Sequence, residues 1–69
     1  MSISKDDLCD SCREIRPLNE YTGTRSSRSL GESLDRCHGN KNQLRAIWVE
    51  LQDNGGCPNC IALLQRAVL

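Results

Sequence analysis

Leu44, Ile47, Trp48 and Leu51 recur at i, i+3, i+4 and i+7. That spacing puts all four on one face of an α-helix, and it predicts a helix over about residues 41–53. Asn54-Gly55-Gly56 follows as its stop. A shorter stripe precedes it: Leu30, Leu34, Cys37 and His38 fall at i, i+4, i+7 and i+8. Ser29, with Glu32 three positions on, supplies a capping box for that helix. Gly31 weakens it, and Gly39-Asn40 ends it.

A third helix is expected over 61–68, growing out of Cys57-Pro58-Asn59-Cys60, because proline suits a first helical turn. Its apolar residues Ile61, Leu63, Leu64, Ala67 and Val68 spread over roughly 160° of the helix, wider than the ~100° stripe a surface helix buries. Part of that arc, with Ile61, Leu63, Leu64 and Val68 on it, is therefore a candidate docking surface for a partner. Packing around the cysteine loop and the Trp48 stripe is the competing use of the same residues.

The first part of the chain has no such period. Leu8 and Ile15 flank Cys9 and Cys12, and Pro17 disfavours helix before it, so a knuckle turn with short extended flanks is expected there. Residues 22–29, Thr-Gly-Thr-Arg-Ser-Ser-Arg-Ser, carry nothing more apolar than a threonine methyl. They read as a mobile, solvated loop.

Composition changes the picture because it limits the core. The chain has 69 residues and only two aromatics, Tyr21 and Trp48, with no Phe. Ordering a residue costs ~1.5 kcal/mol, and cores this small usually only break even against that. One small domain spanning 1–69 is the expectation, and it requires a staple. No apolar run approaches the ~20 residues of a membrane span.

Cys9, Cys12, Cys37, Cys57 and Cys60 offer the staple. The count is odd and the N-terminus lacks an apolar signal-peptide core, both of which argue against a disulfide framework and for a reducing, cytoplasmic or nuclear setting. Four of the five form two Cys-x-x-Cys pairs, the spacing from which two thiolates converge on one ion. The 44 residues between the pairs exceed the about 15–20 of a compact zinc ribbon. Loop closure adds only ~0.6 kcal/mol per doubling of length, against ~10–16 kcal/mol for a structural zinc. The insert must then be folded material, which the two helical stripes supply.

The fold expected is a small zinc-stapled domain, mostly α, with three short helices and two Cys-x-x-Cys knuckles in a treble-clef-like arrangement. One structural Zn2+ would be held by Cys9, Cys12, Cys57 and Cys60. Cys37 or His38 is the alternative for one of the four places; each also has a plain role, as a buried hydrophobe and as a helix C-terminal group. Two complete pairs close the coordination shell, no His-Glu-x-x-His or His-x-Glu motif is present, and no βαβ context suits redox chemistry. A non-catalytic protein is therefore expected.

Formal charge is 9 basic against 9 acidic residues. The basic stretch is 25–45, net +3, where Arg25, Arg28, Lys41 and Arg45 form a candidate nucleic-acid patch. The outward arc of the 41–53 helix is mixed, however, with Glu50 and Asp53 beside Ala46 and Val49. A groove reader needs more cations than that. An interaction or regulatory module that docks onto a larger protein, in the gene-expression machinery, is the leading expectation. Homodimerisation would use the same apolar arc, and a nucleic-acid-binding zinc finger is the alternative.

Overall fold

The computed structural model describes residues 3–19 and 22–69. A 3-10 turn, Lys5–Asp7, is followed by four helices: α1 Asp10–Arg13, α2 Leu30–Cys37, α3 Lys41–Asp53 and α4 Pro58–Val68. No strand forms among the described residues; Leu18 and Arg25 make one isolated antiparallel bridge. The mostly helical class and the three longer helices match the apolar periodicities. The N-terminal region differs from expectation. A 3-10 turn capped by Ser4 and Asp7 and the single-turn helix α1 replace the extended flanks.

Local chemistry sets the helix ends. Ser29 Oγ accepts from the Glu32 N–H at 3.3 Å at the start of α2. Asn40, expected only as a stop signal, also opens α3: its side-chain oxygen accepts from the N–H groups of Asn42 and Gln43. At the other end of α3, Gly55 takes φ +72°. The Gly55 N–H donates to Gln52 O and the Gly56 N–H to Leu51 O, the paired bonds of a Schellman motif. Gly56 must also lack a side chain. A Cβ there would overlap the Leu51 side chain and sit 3.0 Å from the Leu51 carbonyl oxygen. The second cysteine loop can follow α3 this closely only with glycine at that position.

The core draws on all four helices and on Leu8 before α1. Leu8 and Cys12 meet Leu30, Leu34 and Cys37 of α2, Leu44, Ile47 and Leu51 of α3, and Cys60, Leu64 and Val68 of α4. The α3–α4 pair makes the largest helix–helix interface. Gly31 is buried, and a Cβ on it would collide with Arg13 Cγ. The residue that weakens α2 as an isolated helix thus lets the Arg13 stem cross it, while the guanidinium pairs with Asp6 and Asp10.

Glu50 corrects the expected outward face of α3. It is 8% exposed. Its Oε1 accepts from Arg25 and, at 2.7 Å, from Asn54 Nδ2. Arg25 also donates to Arg16 O and Asn54 Oδ1, so the segment between 22 and 29 is tied to α3 through this arginine. Burying a carboxylate without its cation is costly, although the half-exposed guanidinium moderates the effect. Arg25→Ala should lower the unfolding free energy of the metal-loaded chain by about 1–3 kcal/mol in urea titration, and adding Glu50→Gln should recover most of the loss. An Arg25→Ala chain as stable as the parent would contradict the pairing.

Candidate metal centre

Each cysteine pair sits at a helix N-terminus. Cys9 is the N-cap residue of α1 with Cys12 in its first turn, and Cys57 is the N-cap residue of α4 with Cys60 in its first turn. Pro58 occupies the first helical position of α4, where no backbone donor is needed. Packing of α4 on α3, and of Leu8 and Cys12 into the same core, brings the two turns face to face.

All four Sγ atoms lie within 4.8 Å of one another, and among the described residues this is the group arranged to hold a metal ion. A tetrahedron with metal–sulfur bonds of ~2.3 Å has sulfur–sulfur edges of about 3.8 Å. The Cys9–Cys57 separation is 3.7 Å. No disulfide links the five cysteines. The two turns also bond each other in a reciprocal way. The Cys9 N–H donates to Cys60 Sγ at 3.3 Å, and the Cys57 N–H donates to Cys12 Sγ at 3.2 Å. Backbone donors aimed at sulfur stabilise thiolate, the form that binds metal.

The four thiols are not equivalent. Burial pushes Cys60 up to about 12 and raises Cys12 as well. The Cys60 backbone N–H beside its sulfur holds Cys57 down at about 7. At neutral pH Cys57 is therefore ready to ligate, while the buried pair keeps its protons until a cation displaces them. Metal loading must release protons, and affinity must fall as pH drops through 7. Calorimetric titration with Zn2+ at pH 7 in two buffers of different ionisation enthalpy should show net proton release; identical heats in both would contradict it.

Cys37 and His38 lie outside the group. Cys37 is 4% exposed and donates from Sγ to Leu34 O at 3.0 Å, the behaviour of a small buried hydrophobe. His38 does not face inward as its register implied. It is exposed and caps α2 in the left-handed region, φ 47°.

The other expected site residues are dispersed. Arg25 is engaged by Glu50 and Asn54. Arg28 and Arg45 line a groove on the outer side of α3, together with Arg36. Lys41 lines a different groove, with Leu63, Ala67 and Leu69. Arg25, Arg28, Lys41 and Arg45 therefore do not form one basic patch. On α4, Leu64 and Val68 are core residues, 0% and 6% exposed, because α3 covers the centre of the wide apolar arc. Ile61 and Leu63 remain half-buried. Arg36 belongs to the basic 25–45 stretch but was not among the patch residues; the packing of α2 on α3 places it on the same groove as Arg28 and Arg45.

No family model, curated protein or solved structure matches the chain. The site is therefore read from its own geometry. Among the described residues, no helix is long and apolar enough to cross a membrane.

Proposed function

We propose that this chain is a non-catalytic zinc-binding module that docks onto a larger protein and regulates it, within the gene-expression machinery. The observation that carries the reading is the closed set of four cysteine sulfurs, Cys9, Cys12, Cys57 and Cys60. All-thiolate tetrahedral donor sets suit Zn2+ and leave no position for a water or substrate, the condition of a structural rather than a catalytic zinc. Five free thiols belong in a reducing compartment, cytoplasm or nucleus. The gene-expression setting is an association drawn from what small intracellular zinc modules commonly do.

Protein is favoured over nucleic acid as the partner because of the cation count at any one place. Arg25 is committed to Glu50, and Lys41 lines a different groove from Arg28 and Arg45. Two or three phosphate contacts give weak, strongly salt-dependent binding. The test is affinity capture from native lysate on the zinc-loaded chain, with nuclease treatment and a wash from about 50 to 200 mM salt. Retention of a discrete protein through both is the expected result. Loss of all bound material to nuclease or salt would favour the nucleic-acid reading.

A further inference from the structure

The outer side of α3 carries a feature that the metal centre does not use. A groove of about 610 Å³ opens between α2, α3 and the Pro17-Leu18 segment. Its apolar lining is aliphatic: Leu18, Ala46 and Val49 over the buried Ile47. Leu18 and Val49 are each 45% exposed and are two of the three large apolar side chains that stand exposed among the described residues. A small domain whose buried side chains are already placed in one core gains nothing from leaving these two uncovered together.

The rim is basic. Arg28, Arg36 and Arg45 line the groove, and among the described residues their guanidinium groups have no ion-pair or hydrogen-bond partner. The one lining carboxylate, Glu50, is already paired with Arg25. The groove thus offers an aliphatic floor and three uncommitted cations. From Asn42 to Glu50 the lining follows α3 for about 12 Å at 1.5 Å per residue. That matches anchors at i, i+3 or i+4, and i+7 of a docked helix.

We propose that this groove receives a short acidic amphipathic helix of a partner protein. Its aliphatic anchors rest on Leu18, Ala46 and Val49, and its flanking Asp or Glu side chains meet Arg28, Arg36 and Arg45. A nucleic acid fits less well: Ser33, Asn42 and Gln43 line the groove and could meet base edges, but no aromatic side chain lines it to stack a base, and three arginines are few phosphate contacts. The proposal rests on the reading of the chain as a docking module and adds to it the place and the chemistry of the partner.

The test uses the full zinc-loaded chain and a displayed library of helical peptides two to three turns long. Enriched peptides should carry apolar residues at i, i+3 or i+4, and i+7, with a net acidic flank. Val49→Glu and the triple reversal R28E/R36E/R45E should each weaken a selected peptide by about tenfold or more. The reversal variant should regain affinity for the same peptide with its acids changed to lysine. All four positions are solvent-facing, so helicity and zinc content should match the parent; both are measured on every variant. A folded, loaded chain that selects peptides without acidic bias, or whose selected peptides ignore these substitutions, overturns the groove assignment and leaves the broader docking reading intact. Binding of a single-stranded DNA oligonucleotide that follows the arginines and ignores Val49→Glu overturns it too. So does a concentration-dependent dimer abolished by Val49→Glu, since the occupant would then be a second copy.

Discussion

Stripping the metal should unfold the chain. With an excess of a strong chelator at neutral pH, the helical circular dichroism signal is expected to collapse to that of a coil, and addition of Zn2+ should restore it. The reason lies in where the long-range contacts are. Cys9 and Cys12 on one side and Cys57 and Cys60 on the other join segments separated by more than 40 residues, and their sulfurs lie within 4.8 Å. Without a cation, the buried Cys12 and Cys60 are thiols in a site shaped for four charged ligands. The buried core is eleven residues, Cys12 and Cys60 among them: eight are leucine, isoleucine or valine and three are cysteine. Apparent zinc-binding energies of ~10–16 kcal/mol in small structural sites exceed what such a core supplies. Cys60→Ser should mimic chelation, because its sulfur is both a donor atom and the acceptor of the Cys9 N–H. Cys37→Ser should leave the metal stoichiometry unchanged, since Cys37 bonds Leu34 and stands outside the group. A helical spectrum that persists in the chelated chain would contradict the staple.

The second large effect is expected at Leu64. This residue is 0% exposed and lies in the α3–α4 interface. Truncating a buried leucine costs about 2–5 kcal/mol, the spread depending on how far the cavity collapses. In a domain of this size that is a large share of the total stability. Leu64→Ala should therefore shift the urea midpoint of the zinc-loaded chain strongly, and it should weaken zinc as well, because folding and metal binding are one equilibrium here. Leu64→Asp should not fold at all, so its effect on any partner would report the fold and not a surface. Leu69, 85% exposed, provides the comparison: Leu69→Ala should stay within about 0.5 kcal/mol of the parent. Equal losses at the two positions would show that α4 does not pack on α3 as described.

Much of this architecture could be read from residue spacing. The stripe Leu44, Ile47, Trp48, Leu51 specified α3 because a 13-residue helix shows nearly four turns of period. Ser29, Gly55 and Pro58 marked helix ends through local bonds that depend only on near neighbours. The four metal-site thiols were legible for the same reason, as two short-range pairs. What was not legible depends on contacts between distant segments. Helix α1 has four residues, too few to carry a period. Glu50 looks like a surface residue until Arg25, 25 positions earlier, is brought onto it. The wide apolar arc of α4 could not reveal how much of it α3 would cover, and Leu64 and Val68 went inward. Trp48 packs against the core from the inner stripe as its spacing implies, yet stays half-buried, and its indole N–H is buried with no acceptor among the described residues.

The most direct measurement is zinc K-edge X-ray absorption on the chain purified under reducing conditions, with the metal quantified alongside. One zinc per chain with a single shell of four sulfurs at ~2.3 Å is the expected result. A shell containing nitrogen or oxygen, fewer than four sulfurs, or a folded chain carrying no zinc would contradict the Cys9, Cys12, Cys57 and Cys60 staple.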